Sequence, residues 1–133
     1  MQTVVVLMAL SLGDAFLEHE LPAGAVRASP DPDVKRHRDR QLAEQVERIL
    51  ATGRDAVVDA PSHSARRAVM LVAADRGARV VGYWARPPKV GMPGLLDLQP
   101  EYSQLTRRPR RADGFDLLFE VVNPDREYQL REL

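Results

Sequence analysis

Four arginines in five residues, Arg107, Arg108, Arg110 and Arg111, form the densest cluster of chemically active side chains in the chain. Guanidinium forks suit phosphate oxygens, so the cluster reads as a phosphate-binding patch or as a solvated loop. No aromatic residue is interleaved, which leaves base stacking unsupported. Asp59 closes the apolar run Ala56-Val57-Val58. A carboxylate at the end of a buried strand needs solvent, a partner or a metal, or a bond to the turn at Ser62–Ser64. Asp33 precedes a helical pattern and is a good N-cap, and Arg36, three residues on, would point to the same side of a helix start. His19, His37 and His63 share no ligand spacing, so no metal site is expected. There is no cysteine, which excludes disulfides, thiolate metal sites and a cysteine nucleophile. Ser62 and Ser64 lack the Gly-x-Ser-x-Gly elbow of a hydrolase.

The elements that would position these groups follow from hydrophobic patterning. Thr3–Met8 is a β-branched, apolar run without alternation, which predicts a parallel strand covered on both faces. A strand is expected here in preference to a signal peptide, because no Lys or Arg precedes the run, and Asp14, Glu18 and Glu20 follow without a small-x-small cleavage site. Asp14–Glu20 is a short helix and Ala25–Ala28 a second strand. A longer helix is expected from Val34 to Ala51, with Val34, Leu42, Val46, Ile49 and Leu50 on one face and Gly53 as its stop. Asp55–Ala60 is a third strand. A helix follows, capped by Ser62 or Ser64, with a stripe of Ala65, Ala68, Val69, Val72 and Ala73 and a stop at Gly77. Arg79–Ala85 and Asp116–Val122 are the fourth and fifth strands. Residues 87–100 hold four prolines and two glycines and cannot be regular. Strands alternating with helices predict a parallel sheet built from crossover units, with ligands beyond the carboxyl ends of the strands.

Composition bounds the partners. At 133 residues one domain is expected, and 19 basic against 19 acidic side chains give no net field toward nucleic acid or membrane. The basic residues are all arginine except Lys35 and Lys89. The longest apolar stretch, Val4–Leu10, is far short of the roughly 20 residues that span a bilayer. A disulfide-free, Arg-rich chain without an export signal points to the cytoplasm.

The order of several segments resembles a known family. Gly53-Arg54-Asp55-Ala56-Val57-Val58-Asp59-Ala60, then Pro61-Ser62-His63-Ser64-Ala65-Arg66-Arg67, then Ala74-Asp75-Arg76-Gly77-Ala78-Arg79-Val80-Val81-Gly82-Tyr83-Trp84 are similar to small P-loop kinases. The type is that of polynucleotide kinases and zeta toxins, sometimes labelled AAA-like kinases. Leu21-Pro22-Ala23-Gly24 and Gly114-Phe115-Asp116 also fit, and the resemblance covers residues 1–124. It implies a three-layer α/β sandwich with a mostly parallel five-stranded sheet, in one P-loop kinase-like domain over residues 1–124. Residues 125–133 are expected to be a polar tail.

The resemblance implies roles for matched residues. Asp33 would be the base toward an attacking hydroxyl, with Asp31 as the rival position, and Arg36 would hold the acceptor phosphate. Asp59 would sit near the acceptor or the Mg²⁺ shell, although Pro61-Ser62 replaces the family's Thr-Asn. Gly13, Asp14 and Ala15 occupy the phosphate loop, and Ser62, Arg66, Arg107 and Arg108 are the candidate substrate-binding residues. The loop itself has eroded. A P-loop needs Gly-x-x-x-x-Gly-Lys-(Ser/Thr), whereas Ala9-Leu10-Ser11-Leu12-Gly13-Asp14-Ala15-Phe16 keeps one glycine, and no lysine precedes Lys35. An aspartate about 4 Å from a phosphate charge would repel it by roughly 4 kcal/mol at an effective dielectric near 20. An exposed helix dipole returns only about 0.3–1 kcal/mol. The Arg-rich lid of the family is replaced by Pro87-Pro88-Lys89-Val90-Gly91-Met92-Pro93-Gly94.

The expected function is therefore a degenerate kinase-like binding or regulatory domain, with weak or absent ATP binding and phosphotransferase activity. Two alternatives stay open: an atypical ATP-dependent kinase acting on a nucleic-acid end or small hydroxyl substrate, and a phosphate or nucleic-acid-end binding module. Mg-ATP is the cofactor the resemblance implies. A nucleotide, a phosphorylated small molecule or nucleic acid are the partners it allows, and no membrane is expected.

Overall fold

The computed structural model describes residues 1–28, 37–60, 62–87 and 104–133. β1 (Thr3–Met8) is buried at all six positions, as unbroken aliphatic sequence requires of a strand covered on both faces. It pairs in parallel with β3 (Ala56–Asp59) on one side and with β4 (Arg79–Trp84) on the other. β2 (Val26–Ala28) flanks β3 and β5 (Leu117–Val122) flanks β4, both parallel. The sheet runs β2-β3-β1-β4-β5-β6.

The mostly parallel α/β fold is as expected, but among the described residues the sheet has six strands rather than five. β6 (Gln129–Glu132) turns back and pairs antiparallel with β5. It falls in the segment expected to be a polar tail. All four of its residues are exposed, so no alternation of apolar and polar positions marked it as a strand.

The side chains of β1 divide between two clusters. Val4, Val6 and Met8 meet Leu42, Val46 and Leu50 of α2 (Arg38–Ala51) and Ala65, Val69 and Ala73 of α3 (His63–Asp75). Val5 and Leu7 meet Tyr83 and Phe16, the fully buried residue of α1 (Asp14–Glu20). Spacings of four residues put each helical set on one stripe. Arg76, at the end of α3, pairs with Glu47 of α2.

One helix boundary needs correction. α2 begins at Arg38, not Val34, because His37 has φ 59°, a left-handed conformation that no α-helix passes through. Asp33 is therefore not the cap of α2. Asp31, Asp33, Val34, Lys35 and Arg36 lie outside the described residues, as does the proline-rich stretch after Pro87.

At the amino ends of the strands, carboxylates satisfy backbone donors. Asp55 Oδ1 accepts from Thr3 N (2.8 Å) and Asp116 Oδ2 from Val80 N (2.7 Å). In mid-strand, Gly82 is the bare surface on which Phe115 lies. A Cβ there would stand 2.5 Å from a ring carbon of Phe115.

Candidate functional site

The loop between β1 and α1 holds Gly13, Asp14 and Ala15, the expected cofactor-binding residues. Gly13 N donates to the Pro124 carbonyl (2.9 Å), and a Cβ on Gly13 would lie 2.8 Å from that same oxygen. Ser11 Oγ donates to Asp125 Oδ1 (3.2 Å). The turn between β5 and β6 thus sits against the loop and uses its amide. Asp14 is exposed in the first turn of α1, and the Ala15 carbonyl accepts from His19 Nδ1 (2.6 Å). A phosphate at this junction would meet a carbonyl oxygen and the carboxylates of Asp14 and Asp125. α1 is also tied to the C-terminal segment by Tyr128. Its hydroxyl donates to Glu20 Oε1 (2.7 Å), and its ring packs edge-on to Phe16 with centroids 5.3 Å apart. The bond to Glu20, with smaller contributions from burial and from the Glu20 charge, pushes the Tyr128 hydroxyl up to about 12.

Asp59, at the carboxyl end of β3, is held by Arg27 of the neighbouring strand. Arg27 Nε and Nη2 each donate to one of its oxygens at 2.8 Å. Its side chain shares a face with Val57, on the α1 side of the sheet. The carboxylate is taken by Arg27 rather than by the Ser62–Ser64 turn. The same bond raises the Arg27 pKa.

On the α3 side of the sheet the chain builds a cleft. Ser62 caps α3 by accepting from Ala65 N (3.1 Å), and Arg66 Nε donates to the Ser62 carbonyl (3.3 Å). Opposite α3 runs the segment 104–115, pinned at three places. Gln104 Oε1 accepts from His63 N (2.6 Å). The Leu105 carbonyl accepts from Trp84 Nε1 (2.9 Å), both residues being buried. Phe115 lies on Gly82. Between these pins Arg107, Arg108 and Arg110 form one wall of a cavity of about 610 Å³, with His63 and Arg66 on the other. An adjoining space of about 300 Å³ adds Arg67, Met70 and Phe115. Arg111 belongs to the architecture instead, donating through Nη2 to the Asp116 carbonyl (2.9 Å).

Arg66 is 7% exposed. Burial pushes its pKa down, and the field of Asp113 opposes that. A guanidinium nevertheless keeps its charge in proteins. Elsewhere arginines meet carboxylates in pairs: Arg27 with Asp59, Arg76 with Glu47, and Arg86 and Arg131 with the buried Glu120. Among the described residues that line the cleft, Arg66, Arg67, Arg107, Arg108 and Arg110 stand with one carboxylate, that of Asp113.

Three of the four expected substrate-binding residues, Arg66, Arg107 and Arg108, thus line one space, and Ser62 anchors its α3 wall. Asp59 lies on the other face of the sheet. Sequence reasoning did not single out Asp113, Gln104 or Arg67 as cleft residues. The spacing of Asp113 three positions after Arg110 was the available signal for the turn they share, since Asp113 Oδ2 accepts from Arg110 N (2.9 Å). Among the described residues no three His, Cys, Asp or Glu side chains converge as a metal site would require. No helix among them is long and apolar enough to cross a membrane.

No family model and no curated protein matches the chain. Among solved structures it is similar to a de novo designed PLOOP2X3 fold protein determined by solution NMR. The TM-score is 0.50 and the identity 20%, over 93% of this chain and 84% of that one. A designed sequence shares no ancestor with this chain, so the likeness is one of topology: the fold is P-loop-like.

Proposed function

We propose that this chain is a binding domain rather than a phosphotransferase. On this reading it is a degenerate relative of the polynucleotide-kinase and zeta-toxin type of P-loop kinase, and it takes phosphorylated ligands in the α3 cleft. The convergence of four arginines on one cavity, with a fifth, Arg67, on the space that adjoins it, carries the reading. Arginine binds phosphate through paired, charge-assisted hydrogen bonds, and a guanidinium already withdrawn from water, as Arg66 is, meets an anion with little screening. The closed β1–α1 junction supports the other half. Its Gly13 amide is bonded to Pro124, Asp14 stands where a cation is needed, and no lysine precedes Lys35. Phe115, the one Phe, Tyr or Trp among the described residues that line the cleft, is buried, which supports reading a ligand through its phosphates.

Calorimetry with inorganic tripolyphosphate, without divalent metal, tests the reading beside a titration with Mg-ATP. Tripolyphosphate should bind saturably and weaken as salt rises. The double change Arg107→Ala, Arg108→Ala should weaken it by about tenfold or more, while Asp14→Lys leaves it unchanged. Mg²⁺-dependent ATP binding that survives the double change would overturn the proposal. So would phosphoryl transfer from ATP to an oligonucleotide 5′-hydroxyl.

A further inference from the structure

We propose that Asp113 is a resident counter-anion of the α3 cleft, and that it restricts the cleft to chains of two or more linked phosphates. The inference rests on the cleft reading above and assigns the residue that sets its selectivity.

Asp113 lines both the larger cavity and the adjoining smaller one, as Arg66 and His63 do, so it stands where the two spaces meet. It is held there. It ends the 3₁₀ turn Arg111–Asp113, its Oδ2 accepts from Arg110 N (2.9 Å), and its Oδ1 lies 3.7 Å from Arg110 Nη2. The side chain is about one third exposed. Burial pushes the Arg66 pKa down, and the field of Asp113, which lines the same two cavities, acts against that lowering. The most buried of the arginines that line the cleft therefore already shares its cavities with an anion.

Ligands of different length meet this arrangement differently. A single phosphate at Arg66 gains one guanidinium and is repelled by the fixed carboxylate that lines the same cavities. A linked chain can place one phosphate at Arg66 and others against Arg107 and Arg108, which are exposed along the opposite wall. Attraction then accumulates along the chain, while the repulsion is concentrated at the position beside Asp113. Selection is thus by number of phosphates. Inorganic polyphosphate and the backbone of a single-stranded nucleic acid share that chemistry.

Binding of inorganic orthophosphate, inorganic tripolyphosphate and a 5′-phosphorylated oligothymidylate to the full chain, measured by calorimetry at one low salt concentration, tests the proposal. The unaltered chain should bind tripolyphosphate or the oligothymidylate at least about tenfold more tightly than orthophosphate. Whichever of the two binds more tightly identifies the source of the phosphate chain. Asp113→Asn keeps an acceptor for Arg110 N and removes the charge. It should tighten orthophosphate by about tenfold and the longer ligands by less, so that the preference narrows. Asp113→Glu keeps the charge and should keep the preference. Equal affinity of the unaltered chain for orthophosphate and both longer ligands would overturn the inference whatever the variants do. An unchanged preference in a folded Asp113→Asn protein would leave Asp113 as the cap of its turn. In that case tripolyphosphate binding that still weakens in Arg107→Ala would keep the cleft reading intact. No binding of any probe would end both.

Discussion

The β1–α1 junction and the α3 cleft begin beyond the carboxyl ends of two neighbouring strands, β1 and β3, where a parallel sheet presents its loops to ligands. In both, some of the backbone donors at the helix start are already engaged within the chain. Gly13 N goes to Pro124, Ala65 N to Ser62 Oγ and His63 N to Gln104 Oε1. Side chains then separate the two. The junction carries Asp14 and Asp125, whereas the described residues that line the cleft include five arginines and one aspartate. Topology decides where loops gather. The segment that packs on each loop decides its charge: the turn around Pro124 in one case, residues 104–115 in the other.

Three changes would break or sharpen this contrast. Phe115→Ala removes the pin that rests on Gly82 and should cost about 3–5 kcal/mol of stability, as large buried truncations do. Denaturant unfolding would give that loss, and tripolyphosphate binding should weaken with it while the Gly13 amide stays protected from exchange. Gly13→Ala places a methyl group 2.8 Å from the Pro124 oxygen and should cost about 1–3 kcal/mol by overpacking. It should free the Gly13 position from Pro124 without touching anion binding in the cleft. Were it to create Mg-ATP binding, closure by Pro124 would be all that separates the junction from a working phosphate loop.

The smallest effect concerns pH. The Tyr128 hydroxyl is raised from its ordinary value of 10.0 to about 12 in the folded chain by its bond to Glu20. A group whose folded pKa is raised contributes stability that is full below its unfolded pKa and is lost as pH rises through the folded one. The contribution should therefore be intact below pH 10 and disappear between about pH 10 and 12. Tyr128→Phe should remove that alkaline step from a plot of unfolding midpoint against pH. A step that persists would belong to another group.

Much of the framework was legible in the sequence because it follows from local pattern. Val4–Val6 marked the buried strand, Leu42, Val46 and Leu50 the stripe of α2, and the left-handed Gly53 and Gly77 close the turns after α2 and α3 where stops were expected. What was not legible depends on residues distant in sequence or on features without a pattern. Ser11 and Asp125 are 114 residues apart, so nothing near Gly13 reveals that its amide is taken. The left-handed backbone at His37 carries no glycine to announce it. Arg107 and Arg108 were visible as charge density. Arg66 sits beside Ala65 on the buried side of α3, and only the segment folded over it turns an arginine on a helix into the floor of a cleft.

The bond between Gly13 and Pro124 also orders events in time. Pro124 leaves the ribosome well after Gly13, and closing so long a loop cannot be hurried by local structure. During synthesis β1 must wait for β3 and β4 before it is enclosed, and the junction waits longer still, until the turn around Pro124 arrives. A nascent chain therefore passes through a stage in which the sheet can pair around β1 while the amide of Gly13 still faces water. Pulse-labelling by hydrogen exchange should find that amide among the last to gain protection.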